Sequence, residues 1–149
     1  MKSKQTWVLL ADGSHARIYL NDGVGKGLTP VPDGTFDEPA LPTREINADK
    51  SGLSFGSAGP GRRRMQPRTD PNRQAKFNFA RQLVTFLEEG HNKNRFDRLI
   101  LVASPKALGD LRALLPIPVR NLVYGELAKD LMYLEERELP VHLDDLLAL

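Results

Sequence analysis

Seven cationic side chains crowd into residues 61–81: Arg62, Arg63, Arg64, Arg68, Arg73, Lys76 and Arg81, against one acid, Asp70. They follow Gly59-Pro60-Gly61, where the glycines let backbone approach a ligand closely. Clustered cations beside such backbone can neutralise phosphate groups or another acidic surface. The same residues also describe a solvated charged surface with no ligand, and their types alone leave both readings open. Direct reading of nucleobases is less supported, because residues 59–70 include no aromatic side chain for stacking. The flanks have the opposite sign. Residues 1–60 hold six Lys/Arg and seven Asp/Glu, and residues 82–149 hold eight and eleven. The modest net charge of +2 therefore conceals one basic segment between two acidic ones.

A second candidate centre is Asp12, which closes an apolar run of strand length. A metal-dependent nuclease would hold a carboxylate there, with Asp97 and Asp130 as recruits, since two-metal chemistry needs several converging carboxylates. Asp12-Gly13-Ser14 reads more simply as an ordinary turn, in which the aspartate bonds nearby backbone. Ser14 and His15 make no triad, because neighbouring strand residues point to opposite faces. His91 and His142 have no partners at metal-ligand spacing, and there is no cysteine to supply a thiolate or a disulfide. Gly23-Val24-Gly25-Lys26-Gly27 lacks the spacing of a phosphate-binding P-loop. No catalytic residue, resident metal or cofactor is assigned from the sequence.

The elements that must position these residues read as an α/β domain. Trp7–Ala11 and Leu99–Ala103 are apolar at every position, the pattern of central strands covered on both faces. His15–Leu20 follows the first as the return strand of a hairpin. A weak edge strand near Gly27–Val31 carries Pro30, with Pro32 just beyond. Residues 33–69 lack periodicity and read as a long excursion, with the part from about Ser51 to Arg68 expected to be mobile. Asp70-Pro71 then signals a helix start. Phe77, Ala80, Leu83, Val84 and Leu87 give that helix one apolar face over about Asn72–Glu89, and Gly90 is placed to cap it. Ser104-Pro105 opens a second helix running to about Leu115. Val119–Tyr124 reads as a further strand, Glu126 to about Glu136 as a helix with Lys129-Asp130 on its surface, and Val141–Leu149 as a short amphipathic end.

A chain of 149 residues with 40% hydrophobic and 27% charged content is the size of one domain, 1–149. No apolar run approaches the ~20 residues of a membrane span, and the first apolar run is short for a secretory signal, so a cytoplasmic protein with no membrane partner is expected.

Three stretches carry a family resemblance: residues 8–19 (Val8-Leu9-Leu10-Ala11-Asp12-Gly13-Ser14-His15 onward), residues 99–112 (Leu99-Ile100-Leu101-Val102-Ala103-Ser104-Pro105 onward) and residues 126–131 (Glu126-Leu127-Ala128-Lys129-Asp130-Leu131). Together they resemble the host-attachment family, proteins required for attachment to host cells. That family is similar in turn to the middle domain of archaeal and eukaryotic class I release factors. The resemblance implies an RNase H-like mixed sheet, a β-meander followed by α-β-α-β-α units, with a basic loop before the long helix. Release factors that hydrolyse peptidyl-tRNA carry Gly-Gly-Gln in that loop. Here Gln66 stands near the expected place among bulky and charged neighbours, no Gly-Gly-Gln occurs, and the hydrolytic role is not carried over.

The resulting expectation is a non-enzymatic module that binds RNA or the ribosome through the seven cations and affects attachment only indirectly. The alternatives are a nuclease or other hydrolase at Asp12, with Gln66 and Asp130 nearby, and an interaction factor that docks an acidic protein.

Overall fold

A computed structural model describes residues 4–37 and 71–146. The expected mobility of Ser51–Arg68, most of the 33–69 excursion, Gln66 and the cations Arg62, Arg63, Arg64 and Arg68 lie outside the described residues.

The first strand, β1 (Thr6–Ala11), turns back through Asp12–Ser14 into β2 (His15–Asn21), which pairs with it antiparallel. β3 (Thr29–Asp37) adds to β2 at the sheet edge. It runs farther than the sequence suggests, reaching Asp37 and taking the start of the expected excursion into the sheet. Pro30 and Pro32 sit on this edge strand, where missing amide donors do least harm. Helix α1 (Pro71–Asn92) leads to β4 (Arg98–Ala103), which pairs parallel with β1. Helix α2 (Pro105–Leu114) and the single turn α3 (Ile117–Arg120) lead to β5 (Val123–Leu127), parallel to β4. The order is β3-β2-β1-β4-β5, so the two all-apolar runs are adjacent and central as expected.

Full apolarity follows from cover on both faces. Trp7, Leu9, Ala11, Leu99, Leu101 and Ala103 face Phe79, Leu83, Leu87, Leu108 and Leu111 of α1 and α2. Val8, Leu10, Ile100 and Val102 face Leu131, Leu134, Leu139 and Leu143 of the C-terminal segment. The crossovers to β4 and β5 step across the sheet in the same direction, so constant handedness puts both helices on one face.

Four expectations need correction. Gly90 lies inside α1, not at its cap: a Cβ there would sit 2.6 Å from the Trp7 ring, so the glycine serves close packing. The left-handed residue is Asn94, with φ 57°. Asn94 donates to the His91 carbonyl and Arg95 to that of Gly90, at 3.0 and 2.9 Å, a Schellman closure. Val119–Tyr124 is no single strand, because Pro116 and Pro118 start the α3 turn and β5 begins only at Val123. The stretch from Glu126 to Glu136 is not a helix. It finishes β5 and crosses the second face as an irregular strap, where Leu131 and Leu134 bury against the sheet. The strap ends in a 3-10 turn (Glu136–Glu138) and helix α4 (Leu139–Leu143), so the C-terminal helix starts at Leu139 instead of Val141.

Candidate functional site

Ligands of open α/β sheets gather outside the carboxyl ends of strands, where chain direction across the sheet reverses. Here that place lies between β1, which connects toward β2, and β4, which connects toward β5. A crevice of about 50 Å³ occupies it, walled by Asp12 and Gly13 after β1, Arg73 and Lys76 of α1, Ser104 and Lys106 from the β4–α2 junction, and Asp110 farther along α2.

Each side chain arrives for a local reason. Pro105 holds the first position of α2, and Ser104 makes no side-chain cap, contrary to the simplest reading of Ser-Pro; its carbonyl accepts the Leu108 amide at 2.8 Å. The next amides, of Lys106 and Ala107, fall within the first turn of α2, whose N–H groups have no acceptor in the helix itself. Lys76 runs its aliphatic stem across Gly13: a Cβ on that glycine would lie 2.8 to 3.0 Å from Lys76 Cδ, Cε and Cγ. Asp110 falls on the buried stripe of α2 with Ala107, Leu108 and Leu111, and only 7% of it is exposed. It accepts a two-pronged bond from Arg73, whose Nη1 lies 2.8 Å from Oδ2 and whose Nη2 bonds Oδ1. That bond raises the Arg73 guanidinium pKa above its ordinary value.

The described cations of the basic segment thus take three different positions. Arg73 is bound to Asp110. Lys76 crosses Gly13 and, among the described residues, joins no ion pair. Arg81 lies over the Phe77 ring, 5.3 Å from its centre, and does not line the crevice.

Asp12 behaves as turn chemistry requires. Its Oδ1 accepts the amides of Ser14 and His15, both at 2.7 Å, with His15 Nδ1 at 3.4 Å. Asp97 cannot join it. The Asp97 carboxylate accepts the Gln5 amide at 2.9 Å, at the opposite end of β1. Asp130 does approach the same region, although from the strap and not from a helix surface, with its Oδ1 accepting the Met132 amide at 3.0 Å. Asp12 and Asp130 line a second groove of about 500 Å³ together with His15, Arg17, Asp37 and Tyr133. Among the described residues, no three His, Asp or Glu side chains are arranged to hold a metal ion.

Arg17 ties that groove together. Its Nη2 donates to the carbonyls of Met132 and Leu134, both at 2.9 Å, and its Nη1 to the Tyr19 hydroxyl at 3.1 Å. Burial raises the Tyr19 pKa, and the neighbouring Arg17 charge pulls partly against that rise.

The family described as "Protein required for attachment to host cells" matches residues 7–143, from Trp7 in β1 to Leu143 at the end of α4. The chain belongs to that family. No curated protein matches it. Both crevices of this host-attachment protein lie within the matched span. No helix among the described residues is long and apolar enough to cross a membrane.

Sequence reasoning missed Lys106 and Asp110. A signal existed for each: Lys106 follows Ser104-Pro105 at the end of a buried strand, and Asp110 is the one acid on the apolar stripe of its helix.

Proposed function

We propose that this host-attachment protein is a non-enzymatic module that binds RNA through phosphate contacts at the carboxyl edge of β1 and β4. The observation that carries the reading is the placement of Lys76 and Lys106 on one crevice, neither in an ion pair among the described residues. The helix that bears Lys76 follows directly, in sequence, from the run holding Arg62, Arg63, Arg64 and Arg68. Lysine ammonium groups and the amides of a helix start are suited to phosphate oxygens. The five-stranded mixed sheet led by an antiparallel meander is compatible with the RNase H-like, release-factor-like layout that the resemblance implies. In this reading the effect on attachment is exerted through RNA and not by touching the host.

Phosphate contacts set affinity and carry little sequence information. Replacing Arg62, Arg63 and Arg64 together by Ala should weaken binding similarly for unrelated RNA sequences. Three lost contacts should reduce the slope of log affinity against log salt by about 2–3. Binding isotherms across a salt series test this, with circular dichroism to verify folding. An unchanged slope in a folded triple variant would mean that these arginines are a solvated surface.

A further inference from the structure

The first turn of helix α1 holds no acid of its own, and Arg73 is its third residue. A cation there meets the positive pole of the helix. The carboxylate that binds it comes from another helix: Asp110, in the middle of α2 and 37 residues along the chain from Arg73. We propose, on the reading of the preceding subsection, that Asp110 is a positioning residue for the RNA site: by holding Arg73 it fixes the first turn of α1, keeps Lys76 across Gly13, and withdraws Arg73 from phosphate.

The geometry of the pair supports each part. Both terminal nitrogens of Arg73 are spent on both oxygens of Asp110. A phosphate that took Arg73 would leave a carboxylate that is only 9% exposed without a partner, which is costly. It would also have to approach that negative charge. The next helical turn brings Lys76 over Gly13, where carbon-to-carbon fit leaves no room for even a methyl group. A shift of α1 at its start would therefore move the one cation of this helix that lines the crevice unpaired among the described residues. Arg73 belongs to the clasp and Lys76 to the contact surface.

The test compares Arg73→Gln, Asp110→Asn, the double variant, and Arg73→Lys, which keeps the charge but cannot make the two-pronged bond. Amide exchange in residues 71–77 and thermal melting report on the clasp. Affinity for a fluorescein-labelled oligouridylate across a salt series reports on phosphate contacts. Exchange should quicken in both single variants, and the double variant should be no less stable than the worse single. Affinity should fall in Arg73→Gln and in Asp110→Asn alike, and in each the salt slope should drop by no more than the ~0.7 that Lys76→Gln loses, because the phosphate contact disturbed is that of Lys76. If Arg73→Gln fails to fold, Arg73→Lys and Asp110→Asn break the clasp with the cation kept, and exchange, melting and affinity read the consequence. A slope lowered in Arg73→Gln as in Lys76→Gln, with exchange unchanged, would make Arg73 a ligand and overturn the proposal. So would additive losses in the double variant. Should wild type show no salt-dependent binding of oligouridylate, the RNA reading fails, and exchange and melting still decide whether the clasp exists.

Discussion

The turn from Asp12 to His15 separates two crevices that share one aspartate and differ in nearly everything else. On the helical face the crevice is small, about 50 Å³, and two lysines reach it unpaired among the described residues. On the strap face the groove is about 500 Å³ and collects Asp12, Asp37 and Asp130 around Arg17, whose charge is spent on two backbone carbonyls and a hydroxyl. Trp7–Ala11 and Leu99–Ala103 do not cause this difference, since they are apolar toward both sides. On the helical face it comes from the covering elements: two helices start or pass beside the carboxyl edge and bring Arg73, Lys76, Lys106 and Asp110. On the other face the irregular strap brings Asp130, whose carboxylate accepts an amide of its own turn, while Asp12 and Asp37 come from the β1–β2 turn and the end of β3. One sheet can thus present opposite charge on its two sides at the same edge.

The largest expected effect breaks the strap side. Arg17→Met should remove the bonds to Met132, Leu134 and Tyr19. Hydrogen bonds from a charged donor contribute about 1.5–3 kcal/mol each, but Arg17 Nε is buried with no partner among the described residues, and its removal offsets part of the loss. The net cost should be about 2 kcal/mol, read from chemical denaturation, with exchange quickening at residues 128–135. RNA affinity should hardly change, since the helical-face crevice keeps its contacts. A larger loss of affinity than of stability would show that the two sides are not independent.

A smaller effect sharpens the other side. Gly13→Ala introduces a Cβ within 3.0 Å of the Lys76 stem, and the obstructing atoms belong to a flexible side chain that can swing aside. Stability should change by less than about 0.5 kcal/mol, as for an ordinary surface substitution. Affinity for oligouridylate should fall, because Lys76 can no longer lie along the turn. Unaltered affinity would mean that the path of Lys76 over Gly13 is irrelevant to binding.

Much of this frame was legible in the residues. Trp7–Ala11 and Leu99–Ala103 show no alternation, which only double-sided cover explains, and they are the two central strands. The spacing of Phe77 to Leu87 marked the covering helix, although Phe79 is more deeply buried than Phe77. Gly90 misled because the sequence shows a glycine near a helix end and not the Trp7 ring against it. Leu127, Leu131 and Leu134 have helix-like spacing, yet an irregular strap meets the same need to put leucines on a sheet. Of the site, the cations were visible and their fates were not. Whether Arg73 is free depends on Asp110, contributed by a different helix, and whether Asp97 can join Asp12 depends on which end of the strand each occupies. Such long-range pairings leave no local pattern.

The central claim is that phosphate is bound on the lysine side of the turn and not on the aspartate side. The direct measurement is the salt slope of oligouridylate affinity for two double variants, Lys76→Gln with Lys106→Gln, and Asp37→Asn with Asp130→Asn. Loss of two phosphate contacts should lower the slope by about 1.4 in the lysine variant, while the aspartate variant keeps the wild-type slope. A wild-type slope in the folded lysine variant, or an equal change in both, would contradict the account.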